Sequence, residues 1–189
     1  MKAPRAVRAA IAALLFALAP ASARAHEFVV DQACTPTIWS MFSIRYYTPV
    51  SQTFVPALDV MDAAEIWVEW LDTGTATLQV TVHADSVQGP VVGTSEPVVV
   101  PSGTEGAVHF DFSAAVPLEP GRTYALAVAI VDGTGNPMIA GGDDRPYPGG
   151  QAVLEGDTPL GIDLWFRVGA DQALPAHTTT WGALKAVYR

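Results

Sequence analysis

Apolar and polar residues alternate with a period of two through most of this chain, and turn residues punctuate the alternation. "ATLQVTVHA" (76–84) sets Leu78, Val80 and Val82 on one face and Thr77, Gln79, Thr81 and His83 on the other. "AVHFDF" (107–112) does the same with Val108, Phe110 and Phe112. "TYALAVAI" (123–130) sets Tyr124, Leu126, Val128 and Ile130 against alanines. "GIDLWFRV" (161–168) turns Ile162, Leu164, Phe166 and Val168 inward and Asp163, Trp165 and Arg167 outward. This is the repeat of a pleated strand with one buried face. "EIWVEWL" (65–71) and "WSMFSIRYY" (39–47) read as further strands. Between them stand "LDTGTA", "VQGP", "PSGTEG", "LEPGRT" and "DGTGNP", rich in residues that suit turns and break helices. With weaker segments added, the pattern gives roughly ten strands joined by short connections. The expected fold is all-β: an antiparallel two-sheet β-sandwich, jelly-roll-like, with a closed barrel as the alternative.

Residues 1–25 read as a signal peptide rather than as part of this fold. Lys2, Arg5 and Arg8 precede the apolar run 9–19, and Ala23 and Ala25 are small residues where a signal peptidase reads. Ala21-Ser22-Ala23 fits the same pattern and would leave Arg24 first. The apolar run is too short for a membrane anchor. The chain then divides into a β-sandwich domain, 26–172, and a C-terminal tail, 173–189, in which "TTWGALKAVYR" has the spacing of a short helix. The localisation expected from the leader is secreted or periplasmic.

Charge limits the partners. Four of the ten basic residues and none of the nineteen acids lie in the leader, so the remainder carries six against nineteen, a net charge of about −13. Such a chain is a poor partner for nucleic acid or an anionic membrane, and no later segment is apolar for long enough to insert as a helix. Cys34 is the lone cysteine, so no internal disulfide forms, and burial is the expected state of its thiol.

The series "SQTFVP" (51–56), "LQVTVHADSVQGPVVGTS", "VHFDFSAAVPLEPGRTYALAV", "YPGGQA" and "GIDLWFRV" resembles secreted bacterial β-sandwich modules that are compared with jelly-roll carbohydrate-binding or adhesive modules. The resemblance runs from about Gln52 to Val168, and its most characteristic piece is L-x-P-G-x-x-Y-x-L, Leu118 to Leu126. It implies a binding or surface-associated role and carries no catalytic signature.

Several chemistries have candidate residues. Sugar rings stack on aromatic side chains beside a few placed polar groups. Trp39, Tyr46, Tyr147 and Trp165 are the candidate ligand-binding aromatics, with Arg167 beside Trp165 and with Tyr47 and Arg45 near Tyr46. The expected partner is a polysaccharide or cell-surface glycan. Calcium takes hard oxygen ligands; Asp31 and Asp163 are its candidates, as a structural ion where the first and last strands meet. Cleavage after Ala25 would free the amine of His26 for a copper brace completed by His83, His109 or His177. The G-x-S-x-G elbow, the H-E-x-x-H zinc motif and the phosphate-binding loops are absent. The leading expectation is a non-catalytic secreted binding module. The alternatives are a copper carrier or oxidase built on His26, and a structural or surface protein without a small ligand.

Overall fold

The alternating segments become strands of two antiparallel sheets. A computed structural model describes residues 26–70 and 73–173, the side chains of His26, Gln172 and Ala173 excepted. The leader, the tail helix and His177 lie outside the described residues. Phe28–Gln172 form one compact unit.

The first sheet holds β1 (His26–Cys34), β2 (Ser40–Ser43), β4 (Val60–Glu69), β8 (Glu105–Pro117), β10 (Met138–Gly142), β13 (Asp163–Leu164) and β14 (Phe166–Ala173). The second holds β3 (Val50–Phe54), β5 (Thr75–Ala84), β6 (Val91–Thr94), β7 (Val98–Pro101), β9 (Tyr124–Gly133), β11 (Ala152–Leu154) and β12 (Thr158–Pro159). Every paired neighbour in the first sheet comes from a distant part of the sequence. Between β3 and β11 the chain crosses from sheet to sheet at most connections, which is jelly-roll-like winding.

The period-two faces meet in the middle. Ile66, Val68, Phe110, Leu164 and Phe166 of the first sheet pack with Phe54, Leu78, Val80, Val82 and Leu126 of the second, all buried. The alanines on the back of β9 do not face open solvent. Ala125 and Ala127 lie under Val87 and Val153, a small second apolar layer.

The run 161–168 behaves as two strands. Leu164 and Asp163 pair with Gly141 and Gly142 of β10, whereas Phe166 to Gly169 pair with Ile66 to Ala63 of β4. Trp165 is the pivot: its N–H donates to the Ala140 carbonyl at 2.9 Å, and its own carbonyl accepts from Trp67 N at 3.3 Å.

The two sheets are linked at two places along their sides. On one side Ser95 bridges Phe112, and the Glu96 N–H donates to the Asp111 carbonyl at 2.7 Å. On the other, Gln52 of β3 reaches across to β13. Its Nε2 donates to Asp163 Oδ1 at 2.8 Å, and its Oε1 accepts from Leu164 N at 2.9 Å. The Tyr147 N–H donates to Asp163 Oδ2 at 2.8 Å. Asp163 is therefore buried beneath the 143–150 loop, not outward as the alternation alone implies. A carboxylate tolerates this place because each of its oxygens receives an N–H.

Cys34 is buried, and its thiol donates to the Arg145 carbonyl at 3.2 Å. Burial first, then the nearby carboxylates of Asp163 and Asp144, push its pKa from 9.0 up to about 11. The folded state thus holds the thiol proton more tightly than the unfolded state. Its contribution to stability is full below pH 9.0 and is lost as the pH rises from 9.0 through about 11. Alkylation by iodoacetamide at a pH between those values is expected to be slow in the native protein and fast after unfolding. Equal rates in the two states would refute the placement.

Candidate functional site

Strand register assembles a surface on the outer face of the first sheet that no single segment contains. Directly opposed residues in an antiparallel sheet share a face. Met41 pairs with Ala140, whose carbonyl takes the Trp165 N–H, and the next strand places Trp67 beside Trp165. Trp165 and Trp67 touch, with ring centroids 5.6 Å apart and planes tilted by 59°. One row along, Arg167 pairs with Glu65, which pairs with His109.

Trp39 stands just before β2, on the other side of β10 from Trp165. Its N–H donates to Gly141 O at 3.2 Å, and its indole lies over Gly142. The missing side chain there matters. A Cβ on Gly142 would stand 2.2 Å from the Thr37 carbonyl and 3.2 Å from the Trp39 ring. The indole N–H donates to Asp143 Oδ1 at 3.0 Å, yet the residue remains 59% exposed. Asp144 anchors the same turn by accepting from the Thr37 hydroxyl at 2.6 Å and the Thr37 N–H at 2.7 Å. The hydroxyl bond, and then the backbone bond, hold the Asp144 carboxyl below the usual range. A large aromatic is thus displayed to solvent with its orientation fixed.

The charged row is tightly connected. Arg167 Nη2 ion-pairs with Glu65 Oε2. The Arg167 guanidinium also stacks near Trp165, 5.4 Å from its ring centroid, and near Phe28, 5.8 Å away. His109 lies edge-on to Phe28. Trp165, Trp67 and Arg167 are half-buried, so this part of the face is a shallow, partly covered floor beside the open Trp39.

The other sequence candidates fall elsewhere. Tyr46 and Tyr47 sit in the turn after β2, with Tyr46 74% exposed. Near them Ile44, Arg45, Ile130 and Asp132 line an open pocket of about 270 Å³. Arg45 itself is committed to the backbone, with Nη2 donating to Gly133 O at 3.0 Å and Gly135 O at 2.7 Å. Tyr147 is a core residue. Its ring meets Phe166 edge-on at 5.2 Å, and its hydroxyl donates to Gln32 Oε1 at 2.9 Å and accepts from Val55 N at 3.2 Å. Burial raises its pKa. Its Gly/Pro-rich loop reads as surface, but the ring fills the space beside β14.

Asp31 accepts from the Ala57 and Leu58 N–H groups at 3.1–3.2 Å, and Asp163 accepts from Gln52 and Tyr147. Both candidate calcium ligands thus already serve backbone or amide donors. His26 opens β1, and its side chain lies outside the described residues. The His83 nitrogens meet Gly89 O at 3.0 Å and Thr81 Oγ1 at 2.9 Å on the back of the second sheet. Among the described residues, one group of three potential metal-ligating side chains comes together: His109, Asp111 and Asp171. Sequence reasoning missed it because Asp171 lies beyond the last recognised strand. No protein family and no curated protein matches this chain in sequence comparison.

Proposed function

We propose that this is a secreted or periplasmic, non-catalytic binding module that takes a polysaccharide or cell-surface glycan on the outer face of the first sheet. The observation that supports it best is Trp39, a 59% exposed indole held by Asp143 on one side of β10, with Trp165 bonded to the other side of that strand. An exposed aromatic held in one orientation pays little ordering entropy on stacking against a sugar ring, and the Arg167–Glu65 pair supplies polar groups for hydroxyls. The leader-like residues 1–25 support export, and the acidic charge argues against nucleic acid.

Affinity electrophoresis and a glycan array test the reading. Trp39→Ala is expected to weaken binding by about 2 kcal/mol, roughly thirtyfold in Kd, as truncation of an aromatic anchor does. Trp165→Ala is expected to weaken it further, with the fold retained by near-UV circular dichroism. Binding that survives both substitutions, or no glycan binding by the wild-type protein, would sink the proposal.

A further inference from the structure

The geometry points to a binding site for a first-row divalent cation of the zinc class at His109, Asp111 and Asp171. His109 and Asp111 stand two apart on β8, so their side chains share the outer face, and β14 carries Asp171 to the same spot. His109 Nε2 lies 3.2 Å from Asp111 Oδ1 and 3.5 Å from Asp171 Oδ2, and the three ligand atoms all lie within 4.8 Å of one another.

The two spacings to His109 Nε2 suit a metal. Zinc holds nitrogen and carboxylate oxygen at about 2.0–2.1 Å, so two ligands on a tetrahedral edge stand about 3.3–3.4 Å apart. Three protein ligands leave one position for water or an incoming ligand. The donor set also selects. An imidazole nitrogen with two carboxylates suits zinc-class ions better than calcium or magnesium, which prefer all-oxygen shells.

The surroundings fix the ligands. His109 Nδ1 lies 3.4 Å from Glu65 Oε1, a part-buried carboxylate able to accept a proton-bearing Nδ1. In the tautomer that carries its proton on Nδ1, the Nε2 lone pair is directed at two further carboxylates, as in carboxylate–histidine–zinc triads. A lone pair facing two anions is unfavourable until a cation sits between them. Glu65 is only 14% exposed and is neutralised by Arg167, which leaves Asp111 and Asp171 as the two charges to compensate. Asp171 is positioned by its N–H, which donates to Asp62 Oδ1 at 2.6 Å. Phe28 fixes the imidazole plane from its edge, at 5.4 Å. The alternative occupant is a proton, which would make His109 an imidazolium bridging the same acids.

The test uses the full-length protein, stripped with a chelator and titrated with zinc chloride by calorimetry at neutral pH. Cobalt(II) in parallel reports ligand geometry through its visible absorption. One zinc per chain is expected, along with intense cobalt bands of a low-coordinate site. Asp111→Asn is the first variant, because that side chain is 69% exposed and its loss spares the fold. It is expected to weaken zinc at least about tenfold, and His109→Gln to abolish the cobalt bands. Glu65→Gln should weaken zinc about 10–100-fold without contacting it. His83→Gln should leave the isotherm unchanged. No saturable zinc binding overturns the proposal, as does zinc binding that persists in both Asp111→Asn and His109→Gln. The inference does not rest on the sugar reading, since its readout needs no glycan.

Discussion

Replacing Phe166 with alanine is expected to lower the unfolding free energy by about 3–5 kcal/mol, the usual cost of deleting a large buried aromatic and leaving a cavity. Phe166 is 0% exposed and stands just after the pivot where the last long run changes partners. Its ring receives the edge of Tyr147, and Tyr147 in turn ties Gln32 of β1 to the chain at Val55. The surrounding strands are held in ladders and cannot collapse inward to fill the void. Because single domains are stable by only about 5–15 kcal/mol, the variant should melt far below the wild type. Urea denaturation measures the loss. A change below about 1 kcal/mol would mean that Phe166 is not at the centre of the core.

Asp163→Ala should cost about 2–6 kcal/mol for a different reason. It strands the Tyr147 N–H and one of the two Gln52 Nε2–H groups, the other being held by the Thr53 carbonyl, at about 1–3 kcal/mol each. The decisive measurement is a double-mutant cycle with Gln52→Leu. If the two side chains link the two sheets as a pair, the double variant should lose clearly less than the sum of the single losses. Strict additivity would show that they act independently.

Much of the fold was legible from residue alternation. Leu78, Val80, Val82, Phe110 and Phe166 are inward in the sequence pattern and buried in the structure. Period two reports a residue's own face and needs no knowledge of its partner. What depends on partners was hidden. The break at Trp165 between β13 and β14 follows from two different neighbouring strands, and nothing in "GIDLWFRV" marks it. Asp163 and Tyr147 read as exposed because a polar strand residue and a loop tyrosine usually are; the 143–150 loop folds over both. The site divides in the same way. That His109 and Asp111 share a face was readable from their spacing, but Asp171 lies in the part of β14 past residue 168, where small and polar residues dilute the alternation. Trp39 and Trp165 come to flank one strand, β10, and that neighbourhood depends on sheet register rather than on either segment alone.

The central strand β4 takes β8, β10 and β14 as its partners, all from later in the chain. A ribosome releases β4 long before any of them, so the growing chain has nothing against which to close the first sheet. Pairings at such long sequence separation form slowly, because loop closure must come before the contacts that reward it. The first sheet should therefore stay open on the β14 side of β4, and β1 without its neighbour, until Phe166–Ala173 have been released.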